Sequence, residues 1–242
     1  MSDSWVKLND LSKTKVTPML RQYLQAKAEC ADSLLFFRMG DFYELFLDDA
    51  VEAAELLGLT LTSRDGAGAE RRVPMCGVPV RAMEGYVAKV IQAGRTVTIC
   101  DQVEDPKEAK GIVKREVVRT ITPGTVMEPE LLDETANNFL GAAYVGTGGA
   151  AIAFLDVSTG EFLTAQIESD ADAVLRDELT RMAPVEVLAP RDAEGGEDEE
   201  WVAGLRRAFP EITFTGRPAI EFELDGAREA LHDFYDLSTL KG

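Results

Sequence analysis

The chain has 242 residues, 45% of them hydrophobic and 28% charged, with a formal net charge of −18. This is the composition of one large or two ordinary globular domains, and the lack of an apolar run of about 18 residues excludes a membrane-spanning helix. The opening Met1-Ser2-Asp3-Ser4-Trp5 lacks the basic and apolar stretches of a secretory leader, so a cytoplasmic location is expected.

Residues 1–16 read as a flexible arm. Thr17-Pro18 opens a helix, with Thr as cap and Pro at the first helical position. Leu20, Tyr23, Leu24 and Ala28 carry its apolar spacing to about Cys30. Residues 33–39 form a buried strand that ends in a turn at Met39-Gly40-Asp41. Asp48-Asp49 starts a second helix with acids in its first turn. Val51, Ala54 and Leu57 supply its apolar stripe, and Gly58 stops it. Residues 59–63 read as a strand, 65–68 as a glycine-rich loop, and 73–80, with two prolines, as extended and irregular. A helix over 82–92 stops at Gly94. Strands follow over 96–102 and 112–122, the latter with Val113, Val117, Val118 and Ile121 as apolar members. Strands alternating with helices predict an α/β sheet domain.

Thr122-Pro123-Gly124-Thr125 breaks the pattern, and the polar stretch 123–138 reads as a linker. Charge changes at the same place. Residues 1–122 hold 17 basic and 18 acidic side chains, whereas residues 123–242 hold 8 and 25. The acidity thus belongs to the second half, and the first half is free to present a basic face to a polyanion. Beyond 138, strands are expected over 139–145, 150–156 and 161–167. A helix over 170–182 follows, with Ala173, Leu175 and Leu179 on one side. A strand over 184–188, a helix over 201–209, an extended segment over 212–215 and a helix over 224–234 complete a second α/β domain. The chain stops at Leu240-Lys241-Gly242 just after a helix, as a truncated domain would.

Most catalytic signatures are missing from the sequence. There is no Gly-x-x-x-x-Gly-Lys-Ser/Thr and no Gly-x-Ser-x-Gly. Cys30, Cys76 and Cys100 include no Cys-x-x-Cys pair and read as small buried hydrophobes. The single histidine, His232, has no catalytic neighbours. Asp156, at a strand end, reads first as a turn aspartate in Asp156-Val157-Ser158-Thr159-Gly160. With Glu161 or Asp177 it is also a candidate for a magnesium-holding carboxylate site. Phe42 and Glu44 stand out instead. An extended segment leaving the turn at Gly40-Asp41 points both side chains to one side and Tyr43 to the other. An aromatic reaching out of a turn can act as a wedge, although Phe beside Tyr at a strand end is ordinarily core.

An ordered set of motifs decides between these alternatives. Thr17-Pro18-Met19-Leu20 with Tyr23 comes first, then Phe37-Arg38-Met39-Gly40-Asp41-Phe42-Tyr43-Glu44-Leu45-Phe46. Pro74-Met75-Cys76-Gly77-Val78-Pro79 and Val118-Arg119-Thr120-Ile121-Thr122-Pro123-Gly124-Thr125 follow. This set resembles the amino-terminal part of the MutS family of DNA mismatch-recognition proteins, and Asp156 to Phe162 resembles that family's next domain. The resemblance covers about residues 17–240. It implies a mixed-sheet mismatch-binding domain over 17–122 and a ribonuclease H-like connector domain over 139–242.

In that family the Phe of Phe-x-Glu enters the minor groove and stacks on a mispaired base, and the Glu hydrogen-bonds that base. The resemblance assigns these roles to Phe42 and Glu44. A wedge unstacks a base step at a cost of a few kcal/mol, and less at a mispair, so deformability is what is read. A carboxylate beside the backbone repels phosphate and weakens binding to matched duplex. Arg64 and Arg115 are the favoured backbone contacts from a basic set that also holds Lys107, Lys110, Lys114 and Arg119. Met39 is a candidate flanking contact. Arg81 is another, because Pro79-Val80-Arg81-Ala82 stands where the family usually has Pro-Tyr-His-Ala. Tyr43 is expected to face inward and hold the wedge. The implied partners are mismatched double-stranded DNA, a second MutS protomer and, through the connector, a MutL-type repair factor, with a nucleoid-associated location. ATP and magnesium belong to an ATPase domain that this sequence lacks, so no cofactor and no enzyme activity are expected here. A ribonuclease H-like nuclease and an acidic protein-interaction module are the alternatives.

Overall fold

The computed structural model describes residues 5, 7, 16–63, 72–105, 111–132, 135–191, 199–236 and 239. The chain divides into two compact units, Met1–Thr122 and Pro123–Gly242.

In the first unit, helix α1 spans Pro18–Glu29, and the Thr17 hydroxyl caps it by accepting from the Leu20 amide at 3.2 Å. Strands β1 (Leu34–Met39) and β2 (Phe42–Phe46) form a hairpin, helix α2 spans Leu47–Leu57, and β3 is only Thr62–Ser63. Strand β4 (Pro74–Pro79) leads through a 3₁₀ turn at Val80–Ala82 into helix α3 (Met83–Gln92). Strands β5 (Val97–Gln102) and β6 (Arg115–Ile121) close the unit. The six strands lie in the order β3-β4-β2-β1-β5-β6. Only the β1–β5 pair is parallel. Strand β1 is central, and Leu34 to Phe37 are all buried. Leu20, Tyr23, Leu35, Phe37, Phe46, Leu47 and Cys100 form one core cluster there.

A charged pair is embedded in this core. The Lys27 ammonium lies 2.9 Å from Asp49 Oδ1, and both residues are buried. Asp49 Oδ2 also accepts from the Tyr23 hydroxyl at 2.8 Å and the Leu35 amide at 3.0 Å. A buried charge persists only when paired and hydrogen-bonded, and this one is both. Strand β2 runs into α2 with no loop between them, and Leu47 makes the junction at φ 58°, a left-handed conformation that costs a leucine strain.

Several sequence expectations are corrected here. Residues 59–61 are not a strand; pairing starts at Thr62. Residues 74–79 are a regular strand despite their prolines, because Pro74 and Pro79 occupy its two ends. Helix α2 buries Leu47, Asp49, Ala50, Ala53 and Leu57, whereas Val51 is exposed. Its inward stripe follows Asp49, which the core accepts as an ion-pair member. Strand β6 starts at Arg115 and is an edge strand with only Ile121 buried; Val118 is 54% exposed. Of the arm, Trp5 forms an isolated bridge with Arg72, so at that residue the chain is docked. The glycine-rich loop lies outside the described residues.

The second unit begins with short 3₁₀ turns at Pro123–Thr125 and Pro129–Leu131. Strands β7 (Phe139–Gly146), β8 (Gly149–Asp156) and β9 (Glu161–Ile167) form an antiparallel meander. Helix α4 (Ala171–Met182), strand β10 (Glu186–Arg191), helix α5 (Glu200–Ala208), strand β11 (Thr213–Pro218) and helix α6 (Leu224–Tyr235) follow. The sheet order is β11-β10-β7-β8-β9, with β10 parallel to both β7 and β11. Helices α4 and α5 bury Leu175, Leu179, Val202 and Leu205 against Phe139, Ile152, Phe154 and Val187. Ala173 is exposed, and Val174 takes the inward place expected of it.

The linker expected over 123–138 is not a free tether. Pro123 and Gly124 are buried. The Gly124 amide donates to the buried Glu186 carboxylate at 2.9 Å, and the Asn138 side chain donates to the Pro123 carbonyl at 3.0 Å. Polar composition suggested a tether because the partners of these groups lie far along the chain.

Candidate nucleic-acid interface

The β1–β2 hairpin turns on Gly40 and Asp41. Gly40 has φ +62°, which glycine adopts without strain. Met39 pairs with Phe42, Arg38 with Tyr43 and Phe37 with Glu44. On the other side of β2, Phe42 pairs with Pro79 and Glu44 with Gly77. The Val80 amide donates to the Asp41 carbonyl at 3.0 Å, tying the turn to the end of β4.

Strand alternation then separates the side chains. Phe42 is 46% exposed, Tyr43 is 3% exposed and Glu44 is partly buried. Tyr43 turns inward, donating its hydroxyl to Asp101 Oδ2 at 2.9 Å. The Arg38 guanidinium carbon lies 5.3 Å from the centre of its ring. Burial, then the Asp101 hydrogen bond, raise the Tyr43 pKa above its ordinary value, so the hydroxyl stays a donor. Gly77 leaves room for Glu44: a Cβ there would lie 3.3 Å from Glu44 Cγ and 3.2 Å from the Tyr43 carbonyl oxygen.

The other site candidates fall into distinct places. Arg81 is exposed in the 3₁₀ turn after Pro79 and has no ion-pair partner among the described residues. Met39 is partly buried and packs on the first unit's core cluster. Arg115 donates to the Arg38 carbonyl at 2.6 Å, to Gln22 Oε1 at 3.1 Å and to the Val113 carbonyl at 2.7 Å. Its guanidinium carbon lies 5.1 Å from the centre of the Phe37 ring. These bonds brace β6 and the hairpin, a role that spacing alone did not reveal. Lys114 pairs with Glu116 on the surface, and Arg119 is exposed on the edge strand. Arg64, Lys107 and Lys110 lie outside the described residues.

Asp156 resolves as a turn aspartate. Its Oδ1 accepts from the Ser158 amide at 2.9 Å, the Ser158 hydroxyl at 2.6 Å and the Thr159 amide at 3.3 Å. Its Oδ2 accepts from the Asn138 amide at 3.2 Å. Burial pushes this carboxyl up, but the donors outweigh it and hold its pKa below the ordinary value. Among the described residues no group of three or more His, Cys, Asp and Glu side chains is arranged to hold a metal ion. Burial pushes the Cys76 and Cys100 thiols up to about 12, so they remain protonated at neutral pH. No helix among the described residues is long and apolar enough to cross a membrane.

The molecule thus presents, from one ordered strand, an outward aromatic followed two residues later by a carboxylate, and carries a second α/β unit behind it in sequence. Residues 17–130 match the family model for MutS domain I, and residues 138–242 match that for MutS domain II. The chain belongs to the MutS family.

Three bacterial relatives carry the name DNA mismatch repair protein MutS. The one from Desulfatibacillum aliphaticivorans is 45% identical over 96% of this chain and 25% of its own length. The one from Syntrophobacter fumaroxidans is 47% identical over 94% and 25%. The one from Syntrophomonas wolfei is 49% identical over 77% and 22%. The chain therefore spans about a quarter of the length of the curated relatives it matches. Among solved structures, the HTLV-2 integrase catalytic core in complex with magnesium is 10% identical over 44% of this chain and 78% of its own, with a TM-score of 0.23, too low to carry an argument.

Proposed function

We propose that this chain is the mismatch-sensing and connector part of a DNA mismatch repair protein, with Phe42 as the wedge. One observation carries the reading: a large aromatic stands 46% exposed on a well-formed strand while its neighbour Tyr43 is buried. Phe42 enters the minor groove, stacks on a mispaired or unpaired base and kinks the duplex. Glu44, on the same side of β2, accepts a hydrogen bond from that base. Arg81, exposed beside the turn, contacts the flanking phosphates. Arg64 and Met39 are secondary candidates, and the internal hydrogen bonds of Arg115 favour a bracing role for it.

The second unit acts as a connector. Its antiparallel meander followed by a parallel β–α–β half supports a ribonuclease H-like fold. The four donors on Asp156 favour a structural carboxylate over a nuclease site. Its acidic surface suits a basic partner, such as a repair factor of the MutL type. The sequence lacks a Gly-x-x-x-x-Gly-Lys-Ser/Thr motif, so the chain does not itself hydrolyse ATP. It binds DNA weakly without a second protomer, and ATP with magnesium acts elsewhere in the longer proteins of the family.

The test compares a G·T or one-base-bulge duplex with a matched duplex in mobility-shift titrations. The native chain shifts the mispaired duplex at lower concentration, and Phe42→Ala removes the difference. Equal shifts of both duplexes by the native chain at every concentration overturn the proposal. In the same titrations Glu44→Ala strengthens binding to matched duplex.

A further inference from the structure

We infer that Arg38, Tyr43 and Asp101 form a positioning set that fixes the posture of Phe42 from the back of its strand. The inference rests on the proposed role of Phe42 and extends it to residues that do not touch DNA.

The three side chains come from three neighbouring strands, β1, β2 and β5, at the end of the sheet where the hairpin turns. Tyr43 and Asp101 are 58 positions apart in the chain, and their 2.9 Å hydrogen bond bridges across β1, which runs between their strands. Arg38, the cross-strand partner of Tyr43, fills the space between them. Its guanidinium lies over the Tyr43 ring, Nη1 is 3.7 Å from Asp101 Oδ1, and Nε donates to the carbonyl of Gly40 inside the turn. Asp101 is held in turn by the Gln102 amide at 2.7 Å. The set therefore grips both sides of the turn: the carbonyl of Gly40 before Phe42 and the side chain of Tyr43 after it.

The core does not require these polar groups. The Arg38 and Asp101 side chains are 24% and 34% exposed, at the rim rather than in the apolar interior. Their effect falls on the backbone between Gly40 and Tyr43, from which Phe42 projects. A wedge already held in its working posture loses less freedom on inserting into a duplex, so the fixation strengthens insertion without any contact to DNA. The Tyr43 hydroxyl remains protonated at neutral pH, so the link persists under working conditions.

Tyr43→Phe tests this by removing only the hydroxyl. Amide hydrogen exchange of residues 40–42 is expected to accelerate about fivefold, the scale of one lost hydrogen bond, with the melting temperature held within about 2 °C. Asp101→Ala reproduces the effect, Asp101→Asn retains an acceptor and stays near native, and the Tyr43→Phe/Asp101→Ala double variant is no worse than either single one. By fluorescence anisotropy, preference for the mispaired duplex falls about fivefold in Tyr43→Phe, while affinity for matched duplex is unchanged. Unaltered exchange at 40–42 in Tyr43→Phe overturns the inference whatever the DNA result. So does an equal loss of affinity for both duplexes with a lowered melting temperature, which marks general destabilisation. Accelerated exchange in a chain whose native form shows no mismatch preference supports the positioning set and overturns the role proposed for Phe42.

Discussion

Two strand-end turns in this molecule handle their leading side chains in opposite ways. At 156–160 the turn closes on itself: Asp156 is 1% exposed, and four donors surround its carboxylate. At 39–42 the turn opens outward, and Phe42 keeps nearly half its surface in water although the strand behind it is well packed. Each residue does what its type ordinarily avoids, since carboxylates are seldom buried and large aromatics seldom exposed. The difference teaches where to look for function. The buried Asp156 is explained by its local hydrogen bonds, whereas nothing inside the fold accounts for the exposed Phe42.

Substitutions sharpen this contrast. Asp156→Ala is expected to cost the most, about 1–3 kcal/mol, because it removes a buried carboxylate that serves four donors. Urea unfolding followed through Trp201, which lies in the second unit, checks this. A loss below about 0.5 kcal/mol would break the comparison from that side.

Acid should produce the next largest change. The Asp156 carboxyl is held below its ordinary pKa, so its contribution is present above the unfolded value and is lost as pH falls through the folded one. The Trp201 urea midpoint should therefore drop below about pH 4, and Asp156→Asn should flatten that dependence. Gly77→Ala comes third, at roughly 1 kcal/mol or less. Its Cβ would press on Glu44 Cγ and the Tyr43 carbonyl, so Glu44 must give by a few tenths of an ångström. Altered mismatch discrimination with near-native melting is the expected pair of readouts.

The smallest effect on stability belongs to the largest of these deletions. Phe42→Ala should change the free energy of unfolding by less than about 0.5 kcal/mol, because the ring contributes little to the core. A loss of about 3 kcal/mol, the scale of a buried Phe→Ala change, would instead make Phe42 a core residue and remove the basis of the wedge.

Local patterns made the hairpin legible in the sequence, because a glycine turn with alternation across Phe42, Tyr43 and Glu44 is fixed by neighbours within a few residues. The ordered motifs made the family legible. What stayed hidden depends on partners distant in the chain. Asp49 read only as an acid in the first turn of a helix, yet Lys27, Tyr23 and Leu35 draw it inside. Strand β4 read as irregular because its prolines mark its ends, and only its pairing with β2 shows it to be regular. The motif pattern favours Arg115 as a phosphate contact, and its hydrogen bonds to the Arg38 carbonyl and Gln22 come from partners that spacing does not connect to it. The posture of Tyr43 was visible from alternation, whereas its link to Asp101 was not.

The loopless junction between β2 and α2 has a mechanical consequence. A loop at that point would act as a soft joint and absorb any thrust delivered at the tip. Here the strand ends at Phe46 and the helix begins at Leu47, at a φ that few residues tolerate. The first turn of that helix is bolted through Asp49 to α1 and β1. Phe42 therefore stands one five-residue strand away from a helix start that is tied into the core of the unit.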